Sequence, residues 1–266
     1  MKFHTNMEGN FPLSESVRAV ERALDILLCF SRQTPELNMT QIADHVGIHK
    51  STVHRLLATL ETKRFVQRDP ETGVYRLGIR LLQMAYLTLE QNDLRRIATP
   101  FLHHLGEQFL ETIHLAVLDD TDVVFMSIIE SPQRVKLAAA LGQRLPAFAT
   151  ASGKAILAFT SEGKVSQILQ RGMPRYTETT LLSQEAFFND LRLIREQGFA
   201  ISGHEYEEGI NAVAAPIFDS DDQPGASVAV AGTAYRLNHD LLVEIGPVVF
   251  ATTQQISKEL KLTTLP

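Results

Sequence analysis

The sequence predicts an α+β chain in two parts, a mostly helical first part and a second part of mixed helices and strands. Three observations predict it. Residues 39–62 carry two apolar stripes at helical spacing with Gly47 between them. Residues 65–77 alternate like a two-stranded hairpin around a turn that contains a proline and a glycine. Beyond about residue 93, helical stripes and strand-like runs are joined by short polar turns such as Asp119-Asp120-Thr121-Asp122.

Residues 1–13 read as a disordered tail, and a first domain is expected over residues 14–78. Ser16 to Ser31 reads as a helix with Val17, Val20, Leu24, Leu27 and Leu28 on one stripe and Ser14 or Ser16 as its cap. After a loop at Pro35, a short helix is expected from Thr40, its N-cap, to Val46. Ile42, Ala43 and Val46 share one face of it. Gly47 permits the positive φ that ends a helix sharply, and Ile48 plugs the corner. A second helix then runs from Lys50 to Thr62. Val53, Leu56, Leu57 and Leu60 form its apolar stripe, and Lys50, Ser51, Thr52, His54, Arg55 and Thr59 its other face.

That division suits a helix that docks by one side and enters the major groove of double-stranded DNA by the other. Short hydroxyls meet phosphates or base edges at close range, and arginine is the common reader of guanine. Taken alone, the helix also fits an ordinary solvated face. The following hairpin adds weight: Phe65–Arg68 and Val74–Leu77 alternate about Asp69-Pro70-Glu71-Thr72-Gly73, with Gly73 suited to a left-handed position. Arg68 and Arg76, with Lys63 and Arg64, flank this wing and suit phosphate contacts, while Tyr75 suits the small core. Helix, turn, helix and wing together predict a winged helix-turn-helix reader of a DNA operator.

Composition restricts the alternatives. At 266 residues the chain is long enough for two modest cores. A single cysteine, Cys29, excludes an internal disulfide framework, and its apolar neighbours predict a buried thiol. No run reaches the roughly 18 apolar residues of a membrane helix, and the N-terminus lacks a signal-peptide core, so no membrane partner is expected and a cytoplasmic location is. The net charge is −6, unevenly divided. Residues 1–80 hold 11 Lys and Arg against 9 Asp and Glu, net +2; the remainder hold 14 against 22, net −8. So small a basic excess favours two readers per complex.

A linker helix is expected over residues 79–92, with Leu81, Leu82, Met84 and Leu87 in its stripe, and a second domain over 93–266. There Leu94–Phe109 reads as a helix, and Ile113–Leu118, Val123–Ile129 and Arg134–Ala140 as strands. Residues 152–159, 162–170 and 184–197 read as helices, Phe199–Glu205, Ala212–Phe218 and Ser227–Ala234 as strands, and Asp240 to Leu262 as a closing helix. Hairpin-linked strands with flanking helices imply an antiparallel sheet.

Along almost its whole length the chain resembles the IclR family of bacterial transcriptional regulators. The resemblance is carried by residues 16–27, by Lys50 to Leu60, by Tyr75-Arg76-Leu77-Gly78, by Asp93-Leu94-Arg95, by Ala149 to Ala158 and by Val213 to Asp219. It implies a winged helix-turn-helix domain, a linker helix and a GAF-like C-terminal domain that binds a small-molecule effector, a carboxylate or an aromatic metabolite. It also implies self-association as a dimer or a dimer of dimers. The effector pocket it implies draws on Ala151 and Ser152, on Ile210, Asn211 and Ala212, and on Ala229 and Ala231, which share one strand face. Such a pocket favours a less polar effector or one held by backbone amides, with Ser152, Ser202 and Asn211 as its remaining polar contacts.

Other polar clusters point to less. Gly153-Lys154 fails as a phosphate loop, because Phe148 stands where the first glycine belongs and Ala155 where a Ser or Thr does. The stretch reads instead as a helix start with small residues, where backbone amides suit a carboxylate, and Lys154 is open to the alternative of a structural lysine. His204 with Glu205 or Glu207 is too sparse for a metal site, and an exposed acidic loop is expected instead. His103 and His104 are adjacent on a helix and point apart. No cofactor fingerprint, metal triad or nucleophile–base pair is present in the pattern. That disfavours the alternative of a small-molecule-processing enzyme with an appended DNA reader. A purely architectural DNA binder has no use for so large a second domain.

Overall fold

The structure, a computed structural model, describes residues 17–90 and 92–263. They form two compact units that divide between residues 90 and 92. The expected tail at 1–13 and the candidate caps Ser14 and Ser16 lie outside the described residues.

The first unit consists of α1 (Arg18–Leu28), α2 (Met39–Val46), α3 (Lys50–Thr62), β1 (Val66–Arg68), β2 (Tyr75–Leu77) and α4 (Ile79–Glu90). Ile26, Ile42, Val53, Leu57, Val66 and Tyr75 meet in its core. The cap of α2 is Asn38 rather than Thr40. Asn38 Oδ1 accepts from the Thr40 and Gln41 amides at 3.0 Å, and Gln41 Oε1 accepts from the Asn38 amide at 2.8 Å. This reciprocal box satisfies more orphan amides than a Thr40 hydroxyl could. Gly47 ends α2 at φ +63°. β1 and β2 pair antiparallel, and Leu37 extends the wing by exchanging backbone hydrogen bonds with Tyr75.

The apolar stripe of α1 faces mostly outward, although Leu27 packs against the core. Val20, Leu24 and Leu28 are exposed, and the buried residue is Ile26. In α4 no residue is buried, and Leu82, Met84, Tyr86 and Leu87 stand exposed. Cys29 is half-buried rather than sealed in the core. Burial, with the Asp25 carboxylate as a smaller cause, pushes its thiol pKa up, which keeps it protonated and a poor nucleophile.

The second unit is built on a six-stranded antiparallel sheet. Its elements are α5 (Asp93–Phe109), β3 (Thr112–Asp119), β4 (Asp122–Ile129), β5 (Arg144–Pro146), α6 (Ala151–Leu157), α7 (Glu162–Gln170), α8 (Gln184–Gln197), β6 (Ala200–Gly203), β7 (Ile210–Phe218), β8 (Pro224–Thr233) and α9 (His239–Thr263). The strand order is β5-β4-β3-β8-β7-β6. Strand pleating sends alternate residues to opposite faces. Ile113, Leu115, Val213, Ala215, Val228 and Val230 pack with α5 and α9 on one face. Ala116, Phe125, Ala200, Ala214 and Ala229 pack with α6, α7 and α8 on the other.

One expected strand is absent. Residues 134–140 form no ladder, and the edge strand is β5, paired to Asp122–Val124. The backbone of the 134–143 segment is engaged elsewhere. Val135 O accepts from Arg236 at 3.0 Å, Ala140 is closed on Gln143, and Gly142 turns at φ +74°. The strand expected over Phe199–Glu205 shortens to Ala200–Gly203 because His204, at φ +60°, turns the chain.

Candidate functional site

In the first unit the candidate surface is the outer side of α3 with the adjoining wing. Val53, Leu57 and Leu60 turn inward, which leaves Lys50, Ser51, His54, Arg55 and Thr59 exposed and Thr52 half-buried. The helix begins at His49, whose Nδ1 accepts from the Ser51 amide at 3.3 Å and lies 2.7 Å from the Ser51 hydroxyl. His49 therefore orients Ser51, a role no spacing rule assigned, although its place just before the first helical residue was visible. The Thr59 hydroxyl donates to Arg55 O at 3.0 Å.

The wing holds its arginines apart from the core. The Arg68 guanidinium sits 5.9 Å above the centre of the Tyr75 ring. Arg76 pairs with Glu36 at 2.9 Å, both exposed. The tip is braced by Asp69, which accepts from the Glu71 and Thr72 amides at 3.0 and 2.8 Å. Those bonds, that from Thr72 foremost, hold its carboxyl below the usual range. Gly73 takes φ +72°.

In the second unit a cavity of about 130 Å³ opens between the α6 face of the sheet and the irregular 137–143 segment. Ala151 and Ser152 come to it from α6, Ser202 from β6, Ile210 and Ala212 from β7, and Ala231 from β8. Asn211 and Ala229 do not line it. Asn211 alternates to the far side of β7, where its Nδ2 donates to Leu237 O at 2.7 Å. Ala229 lies deeper on β8, fully buried and paired in register with His114.

The polar group that sequence reasoning missed is His114. It lies on β3 within an otherwise apolar run, the one signal that could have marked it. Its Nε2 lies 3.2 Å from Ser152 Oγ, its ring centre is 4.3 Å from that of Phe125, and its buried Nδ1 has no partner among the described residues. Burial pushes the imidazole down to about 4 from 6.5, so it is neutral at physiological pH. Phe125, Gln143 and Tyr206 are further wall residues without a sequence signal, and Glu207, considered above only beside His204 for a metal, lines the cavity as well.

Lys154 is almost fully buried and does not line the cavity. Its Nζ meets Glu205 Oε1 at 2.6 Å. Asp190 Oδ2 lies 2.9 Å away as a close charge, off the line of a hydrogen bond. The structural reading of this lysine therefore holds. Burial raises the Glu205 pKa, and the Lys154 charge opposes that shift. His204 braces its own loop, accepting from the Gly209 amide at 2.9 Å. His103 and His104 are exposed. Among the described residues no three His, Cys, Asp or Glu side chains are placed to hold a metal ion, and no helix is long and apolar enough to cross a membrane.

Known proteins share this arrangement. Residues 86–258 match the family model for the bacterial transcriptional regulator IclR C-terminal domain, and residues 19–70 match that for the IclR helix-turn-helix domain. The HTH-type transcriptional regulator XynR of Escherichia coli is 34% identical over 223 residues, 84% of this chain and 88% of that protein. The transcriptional repressor IclR of the same organism is 30% identical over 249 residues, 92% of this chain and 91% of that protein. Among solved structures, the IclR regulator of Alicyclobacillus acidocaldarius superposes with a TM-score of 0.82 at 27% identity, over 92% of this chain and 99% of its own. Thermotoga maritima IclR superposes with a TM-score of 0.73 at 27% identity and the same coverage. A helix-turn-helix domain followed by an IclR C-terminal domain thus spans most of the chain, and the chain belongs to the IclR family of bacterial transcriptional regulators.

Proposed function

We propose that this regulator is a ligand-operated DNA switch without catalytic activity of its own. Its second unit takes a small-molecule effector into the cavity beside α6, and its first unit reads an operator through α3 and the wing. The observation that carries the reading is the cavity itself. It is walled mainly by apolar side chains, yet His114 and Ser152 place a few polar atoms at one spot, the usual build of a small-molecule site. Lys50, Ser51, Thr52, His54, Arg55 and Thr59 serve as the groove-facing set, and Arg68 and Arg76 as phosphate contacts. Ala151, Ser152, Ser202, Ile210, Ala212 and Ala231 belong to the effector site. Asn211, on the far face of β7, and Ala229, packed deeper under α6, lie outside it.

The working form is a dimer or a dimer of dimers. The exposed apolar residues of α1 and α4 support this, because water-facing Val20, Leu24, Leu82 and Leu87 gain by burial against a second copy. An effector that prefers one arrangement of such an assembly shifts the population and with it the spacing of the two α3 helices. The test is a mobility-shift titration on the gene's own promoter, with and without compounds that raise the melting temperature in a screen of small carboxylates and aromatics. Stabilising compounds that alter operator affinity are expected. Turnover of those compounds, or an operator affinity indifferent to all of them, overturns the reading.

A further inference from the structure

The cavity walls state what kind of ligand they accept. Among the described residues, no lysine or arginine lines the cavity, and the one charged side chain on its walls is the carboxylate of Glu207. Lys154, two residues along α6 from Ser152, faces two carboxylates, Glu205 and Asp190, and lends no net positive charge. The His114 imidazole is neutral at physiological pH. An anion entering this space leaves water without meeting a counter-charge, which is costly.

Hydrogen-bond counting points the same way. A neutral imidazole has one donor and one acceptor nitrogen. If Nε2 carries the proton it donates to Ser152 Oγ, and Nδ1 stays an open acceptor while the serine hydroxyl stays an open donor. In the other tautomer Nε2 accepts from the serine, and an open donor at Nδ1 accompanies open lone pairs on Oγ. Either way the pair offers one donor and one acceptor. The two open positions lie on opposite sides of the ring, and Nδ1 is buried, so a ligand group meets the one on Ser152 Oγ. A hydroxyl or a primary amide suits that position in either tautomer, as acceptor or as donor, whereas an ionised carboxylate only accepts and suits it in one. Phe125, Leu137, Ala212 and Ala231 supply apolar surface for the body of the ligand. The volume, about 130 Å³, is of the order of the roughly 150 Å³ cavity known to admit benzene.

Resting on the reading of this cavity as the effector site, we infer that it selects an uncharged ligand with a ring-sized apolar body, whose hydroxyl or amide group docks on Ser152 as oriented by His114, over the corresponding carboxylate. The test is calorimetric titration of the full chain with benzamide, benzyl alcohol and benzoate. Benzamide and benzyl alcohol are expected to bind at least about tenfold more tightly than benzoate. His114→Phe keeps a ring in the wall and is expected to cost the two neutral probes about tenfold or more. Ser152→Ala is expected to act in the same direction. Benzoate binding as tightly as benzamide, no binding by any of the three at millimolar concentration, or indifference of the neutral probes to both variants overturns the inference. Ala212→Phe, which fills the cavity, separates the two levels. Benzoate binding that is preferred and lost in Ala212→Phe overturns the charge selectivity and keeps the cavity as the site. Binding that survives Ala212→Phe removes the cavity reading itself.

Discussion

The ammonium of Lys154 on α6 lies 2.6 Å from Oε1 of Glu205, just past β6, and both side chains are buried. The pair ties the helix that borders the cavity to the sheet edge that borders it from the other side. Removing one partner strands the other charge in low dielectric. Lys154→Met is therefore expected to lower unfolding stability by about 3–5 kcal/mol, and Lys154→Met with Glu205→Gln by clearly less. Urea denaturation measures both. A double variant no more stable than the single one would show that the cost is lost packing rather than an uncompensated carboxylate.

His114 predicts an acid limit. Its folded-state value is about 4 against 6.5. A depressed value contributes stability that is fully present above the unfolded pKa and lost as pH falls toward the folded one. Between pH 6.5 and 4 the imidazole is expected to remove up to about 3 kcal/mol of stability. His114→Phe removes that component. Denaturation curves at pH 7 and pH 4.5 check it, and an equal acid loss in wild type and variant refutes the assignment.

Arg55 stands exposed on α3 one turn beyond its start, where base edges come within reach. Arg55→Ala is expected to cost about 1–3 kcal/mol in operator binding and to relax preference at one position. A binding panel over single-base operator variants is the check. Unchanged affinity and preference would remove Arg55 from the reading set.

The wing arginines start from different situations. Arg76 must leave Glu36 to reach a phosphate, while Arg68 rests against Tyr75 with no acidic partner among the described residues. Arg68→Ala and Arg76→Ala are each expected to lower the slope of log affinity against log salt by about 1, for operator and random DNA alike. Glu36→Gln frees Arg76 and removes a repelling charge, so it is expected to tighten both modestly. Weaker binding by Glu36→Gln would mean that the ion pair orients Arg76 for contact.

Two alanines on neighbouring strands separate cavity from core. Ala229 is fully buried, and Ala229→Phe is expected to overpack the α6 side of the sheet, lowering stability by about 1–3 kcal/mol. Ala212 is half-buried and lines the cavity, so Ala212→Phe is expected to keep the ligand-free melting temperature near wild type. Thermal melts of the two variants, side by side without ligand, decide it. Equal destabilisation would close the cavity as an available space.

The sequence by itself determined what depends on near neighbours. The extent of α3, the left-handed ends at Gly47 and Gly73, and the paired strands of the wing follow from i,i+4 stripes and turn chemistry. Even the box that caps α2 was legible, since Asn38 and Gln41 stand three apart, although Thr40 competes for the same role on residue type alone. The long amphipathic helices of the second unit were legible for the same reason. What only the tertiary structure decided is which side of each element meets what. The stripe on α1 is periodic whether it faces the core or a second copy, and only packing shows that Ile26 goes in and Leu24 goes out. Residues 134–140 alternate like a strand, yet a strand forms only where a partner offers a ladder, and here Arg236 takes the Val135 carbonyl. Register put Ala212 on the cavity and Asn211 behind it, because one step along a pleat reverses the face. His114 and Ser152 are 38 residues apart, and Lys154 and Glu205 are 51 apart. No local spacing encodes such pairs; they exist because the antiparallel sheet and one short helix bring three separate segments together.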